Sequence, residues 1–143
     1  MRTLLYNLIK EAIMAKGDIK HFALWNRQVE FIQSEQPFKT PAVFLEISRI
    51  NWSYPSKPTV KGTTLQQTGE GTITVHLVAK ADMGDTELLD LADSITARLK
   101  DLHDSNDTEL VSRFYHTSTE TNHNHEELVE ELDTFSFKSI VEY

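Results

Sequence analysis

The chain has 143 residues, no cysteine, and 22 acidic against 14 basic side chains, for a formal charge of -8. A chain of this length buries roughly 70% of the surface its unfolded form exposes, so it needs no disulfide or structural metal to fold. The missing thiols exclude thiolate zinc sites, redox pairs and cysteine nucleophiles and suit a reducing compartment such as the cytoplasm, while Lys and Arg scattered singly from Arg2 to Lys138 disfavour tight nucleic-acid binding.

The opening run "MRTLLYNLIKEAIMAKG" is interrupted by Asn7, Lys10 and Glu11. It lacks the continuous apolar core of a signal peptide or membrane span, so a soluble, unprocessed protein is expected. Leu5, Leu8, Ile9, Ala12 and Ile13 recur at helical spacing, which predicts an amphipathic helix over residues 2 to 15, stopped by Gly17 and Asp18. The next stretch, "HFALWNRQVEFIQSEQPF", fits neither period; Asn26 is placed to cap a short helix carrying Val29 and Ile32 up to the break before Pro37.

In "PAVFLEISRINW", Val43, Leu45 and Ile47 alternate with Phe44, Glu46 and Ser48, and Pro41 stands at the first position, which predicts a strand. The segment "SYPSKPTVKGTT" that follows reads as an exposed loop or arm at about residues 53–68. "GEGTITVHLVAK" alternates sharply, with Ile73, Val75, Leu77 and Ala79 on a buried face and Thr72, Thr74, His76 and Lys80 on a wet one, Val78 being the exception. From Asp85, the expected cap by residue type, Leu88, Leu91, Ala92, Ile95, Leu99 and Leu102 form one helical stripe. Two closing strands are expected in "ELVSRFYHTSTE" and "ELVEELDTFSFKSIVEY", the second with Phe135, Phe137, Val141 and Tyr143 alternating with polar Thr134, Ser136, Lys138 and Glu142. This order predicts an α+β domain spanning residues 1–143: a mostly antiparallel sheet, with the N-terminal helix and the central amphipathic helix packed on one face.

Between the closing strands stands "TNHNHEEL". His123 and His125 are metal ligands by type, with zinc or nickel the matching ions, and Glu120, Glu126, His116 and Asp104 are the available further donors. None of these stands at a spacing that fixes a site, and a solvated hairpin tip is the simpler reading. The acidic neighbours Glu120, Glu126, Glu127, Glu130 and Glu131 would favour imidazolium, which makes a pH-sensitive patch a third reading.

His76 has no nucleophile elbow to serve, and the glycines of "GEG" precede a strand instead of opening a helix, which points to a bulge or bend and away from a phosphate loop. The dense carboxylates read as solvated faces, so no acid/base pair is expected. Trp25, Trp52 and Tyr54 lie near loop ends, where aromatic side chains either pack at the edge of a core or anchor a partner.

The order of elements, and in particular "LWNRQVEF", "PAVFLEI" to "INW", "LQQTGEGTITVHLV", "DTELLDLADSITARLKDL" and the "HNH" loop, resembles the small tail-terminator (tail-completion) proteins of long-tailed bacteriophages and prophages. The resemblance implies a non-enzymatic virion protein of the head-tail junction, without cofactor, assembled in the host cytoplasm. It implies a ring, typically a homohexamer, that caps the tail tube protein, meets the head-side connector protein and lets DNA pass without sequence-specific binding. The arm matches in position a hairpin that reaches a neighbouring subunit, which makes Trp52, Tyr54 and Lys61 expected interface residues. Other neck proteins, namely head-closure and connector proteins, share such small folds. A metal-binding module using His123 and His125, or a host adaptor binding a partner through Trp25 or Trp52, are the readings from other classes.

Overall fold

The computed structural model describes residues 1–25, 38–54, 66–100, 102, 112–122 and 127–142. The elements, in chain order, are helix α1 (Arg2–Met14), strands β1 (His21–Leu24), β2 (Ala42–Ser53) and β3 (Gln66–Lys80), helix α2 (Asp85–Lys100), and strands β4 (Tyr115–Asn122) and β5 (Leu128–Glu142). The strands form one sheet in the order β1-β2-β3-β5-β4. β1 pairs in parallel with β2, and the other three pairings are antiparallel. The expected α+β architecture is therefore present. The predicted short helix from Asn26 to Pro37 lies outside the described residues.

α1 buries Leu5, Ile9 and Ile13, a stripe at spacings of four, and its end is marked by Gly17 at φ 72, a left-handed conformation that glycine adopts without steric cost. α2 buries Leu88, Ala92, Ile95 and Leu99. It begins one residue earlier than expected: the Leu88 amide donates to the Gly84 carbonyl, and Asp85 lies in the first turn with Glu87, where carboxylates complement the helix dipole, instead of capping it. Both stripes press on the same face of the sheet, against Val43, Leu45, Ile73, Val75, Leu77, Ala79, Phe135 and Phe137, with Phe114 filling the edge.

One clamp ties the helices together. The Arg98 guanidinium, from the last turn of α2, donates to the Ile13 carbonyl at 2.9 Å, to Ser94 Oγ at 3.1 Å and to both carboxylate oxygens of Asp18. It satisfies a carbonyl at the open end of α1, and it holds the Asp18 carboxyl below the ordinary aspartate range through its hydrogen bonds, with burial opposing the shift.

The opposite face is not uniformly wet, as alternation alone had implied. Ala42, Phe44, Val78 and Leu128 form a second, smaller core, packed against Ala23, Trp25 and Phe38. Val78 broke the polar alternation for this reason. His76, expected on the wet face, is 3% exposed beneath the same cover. β5 lies between β3 and β4, so the carboxylates it carries, Glu130, Glu131 and Asp133, are buried, whereas its acidic run had read as solvated.

Candidate functional site

Three groupings of side chains stand out from the scaffold. The first is at the far end of the β2–β3 hairpin, where β2 and β3 remain paired as far as Ser53 and Thr68. Here the side chains alternate over Gly69 and Gly71, whose missing Cβ atoms leave room for rings. A Cβ on Gly71 would stand 2.5 Å from Phe137 Cζ, and one on Gly69 would stand 2.8 Å from the Trp52 ring and from Ser139 Oγ. The "GEG" motif is thus a seat for two aromatic rings within a regularly paired stretch of β3. The expected bulge occurs in β2, between Ile47 and Arg49. Trp52 is 37% exposed and Tyr54 59% exposed, at the base of the predicted arm. Lys61, the third expected interface residue, lies outside the described residues.

The second grouping is buried on the face opposite the helices. The His76 ring lies flat against Trp25, with centroids 3.9 Å apart and planes 3° from parallel. Its Nδ1 lies 3.3 Å from Glu130 Oε1 on β5, and its Nε2 lies 3.6 Å from Glu46 Oε2 on β2. A hydroxyl ladder crosses the same three strands beside it, with Ser48 to Thr74 at 3.4 Å and Thr74 to Thr134 at 3.2 Å. Buried polar groups that find partners across strands fix pairing register, because a one-residue slip would send each to the other face. Sequence reasoning missed this set, since Trp25, Glu46, His76 and Glu130 are far apart in the chain and two of them sit in stretches that read as exposed.

The third lies on the helix side, at the β4 edge. Asp133, 6% exposed, accepts from His116 Nε2 at 2.8 Å and from Thr119 Oγ1 at 2.6 Å, while Thr121 donates to both oxygens of Glu131 at 2.9 Å. His116 and Thr119 meet the same carboxylate oxygen, and the Thr119 hydroxyl also lies 3.1 Å from that same His116 nitrogen. A relay would need the hydroxyl and the carboxylate on opposite ring nitrogens. The arrangement joins β4 to β5 and lacks the geometry of a nucleophile with its base.

His123 and His125 lie outside the described residues, in the connection between β4 and β5. Of the donors considered for them, His116 is engaged by Asp133. Among the described residues no group of three or more His, Asp or Glu side chains is arranged to hold a metal ion. The pH-sensitive patch loses two members, because Glu130 turns to His76 and Glu131 to Thr121. Among the described residues no helix is long and apolar enough to cross a membrane. No family model and no curated protein matches this chain.

Proposed function

We propose that this chain is a structural protein of a bacteriophage head-tail junction, in the role of a tail terminator, and that it works by associating with copies of itself into a ring, a hexamer by the resemblance. The observation that carries the reading is the β2–β3 pair, whose described strands stay paired out to Ser53 and Thr68 and present Trp52 and Tyr54 to solvent at that end. Exposed aromatic side chains at the end of paired strands supply large contact area at little entropic cost, as interface anchors do.

Two further features support it. Both helices lie on one face of the sheet, so copies can join side by side through the sheet with the helices on the outside of a ring. The charge of -8 suits a lumen through which DNA slides, since carboxylates near a passage repel phosphates instead of gripping them.

The test is the mass of the purified protein by light scattering, followed by negative-stain imaging and by binding to isolated tail tubes. A closed ring, free or assembled on the tube end, is the expected result. A protein that stays monomeric at millimolar concentration and also fails to bind tubes overturns the proposal. Replacing residues 55–65 by a short turn should lower the oligomer mass without unfolding the domain.

A further inference from the structure

We infer that the outer edge of β2 beyond Leu45 is a docking edge for strand β4 of a second copy, antiparallel and with Arg49 opposite Glu120. This deepens the ring reading and rests on it. The starting observation is a mismatch in strand length. β1 covers β2 only from Ala42 to Leu45, with one more bond from the Trp25 amide to the Leu45 carbonyl. Among the described residues, β2 from Glu46 to Ser53 has a strand neighbour on one side, β3. At the far end of the same sheet β4 has, among the described residues, a strand neighbour on one side, β5, and its residues from Tyr115 to Thr121 are exposed. Each open stretch is eight residues long.

Exposed edges of this length are normally protected by lysine, proline or several charges. β4, "YHTSTETN", has no Lys, Arg or Pro and a single carboxylate, Glu120. Its bulge lies near its beginning, between His116 and Ser118, and leaves Ser118–Asn122 in regular register. An edge so little defended is suited to receiving a strand.

Direction then follows from topology. With β2 pointing up, β3 points down, β5 up and β4 down. Rotation about an axis along the strands keeps these directions, so β4 of one copy meets β2 of the next antiparallel, the more stable pairing, and both sheet faces keep their sense around the ring.

Register follows from faces and charge. On the face opposite the helices β2 carries Arg49 and Asn51, which pair with Thr72 and Glu70, and β4 carries Ser118, Glu120 and Asn122, which pair with Thr134, Leu132 and Glu130. Two strands joined edge to edge keep their faces, so Arg49 stands opposite Ser118, Glu120 or Asn122. Of the three, Glu120 carries the complementary charge, and opposite charges are favoured directly across an antiparallel pair. Within one copy Arg49 is exposed and donates to Asn51 at 2.9 Å, which leaves its guanidinium other donors for a partner. The same register sets Asn51 opposite Ser118.

The chain has no cysteine, so a disulfide can be installed without background. The test uses the full chain with Asn51→Cys and Ser118→Cys together. Oxidation should produce a covalent ladder of dimer, trimer and higher species that ends at the ring, and either single variant should give no ladder. In parallel, Arg49→Glu and Glu120→Arg should each weaken association about tenfold by placing like charges together, and the combined variant should restore most of it. Both side chains are exposed, so unchanged thermal melting of the monomer checks that the variants fold. An oligomer that forms but yields no ladder, or one indifferent to the charge reversals, overturns the edge docking and leaves the ring standing. A chain that is monomeric throughout and fails on tail tubes overturns both.

Discussion

A methyl group at position 71 would stand 2.5 Å from Phe137 Cζ and 2.9 Å from the Arg49 carbonyl oxygen, and Phe137 is 2% exposed with nowhere to retreat. Gly71→Ala is therefore expected to lower stability by about 1–3 kcal/mol in urea denaturation, the usual range for overpacking. Gly69→Ala should cost less, because the Trp52 ring it meets has an exposed edge and can tilt away. At the helix clamp, the Asp18 carboxyl is held below its ordinary value of 3.8 by hydrogen bonds from Arg98, so the folded state binds its proton less readily than the unfolded chain does. The stability this confers is present above the ordinary value and fades as pH falls from there through the depressed folded value. Asp18→Asn should thus be less stable than the parent at neutral pH, by no more than about 1 kcal/mol because the carboxylate is partly solvated. The difference should shrink in acid; a gap that stays constant down to pH 2 would show that the carboxylate's charge is not its source.

Among the elements, those with a clean period were legible in the sequence. Leu5, Ile9 and Ile13 announced α1, the stripe from Leu88 to Leu99 announced α2, and the alternation of Ile73, Val75 and Leu77 announced β3. β1 was not legible: four residues hold two alternations at most, and its place is set by parallel pairing with β2 at a distance in the chain. The buried set around His76 was hidden for a related reason. Its burial depends on Trp25 arriving from another segment, and on β5 being an interior strand, neither of which leaves a local mark near Glu130. That set also makes a prediction about coupling between β3 and β5. His76→Ala alone leaves the Glu130 carboxylate buried without its imidazole and should cost about 3 kcal/mol. Adding Glu130→Gln should cost less than the two single changes summed, with a coupling of about 1 kcal/mol in a double-mutant cycle. Strict additivity would mean that the two side chains act independently.

At the scale of the whole molecule, the two longest strands, β3 and β5, meet across a separation of about sixty residues, with α2 and β4 between them. The β2–β3 hairpin and the helices form through nearer contacts. Pairing over long loops is slow, so folding should complete in milliseconds to seconds, limited by docking of β5, and the His76→Ala change should speed unfolding more than it slows folding. Stopped-flow tryptophan fluorescence can follow this, since Trp25 stacks on the ring of His76 and Trp52 reports the opposite end. A chevron in which the folding limb carries the change would place the β3–β5 pairing early instead.

The edge of β2 is stepped. Its lower part is filled by β1 as far as Leu24, and at the step opens a groove of about 770 Å³ bordered by Arg2, Tyr6, Leu24, Trp25 and Glu46. A strand sliding along the open part from above would run into this ledge and halt there. A side contact of that shape fixes height as well as partner: each added copy would sit level with the one before it by the same stop. Repeated around an axis, a joint with no freedom to climb closes on itself, whereas one able to slip by a single pair of residues would wind into a screw.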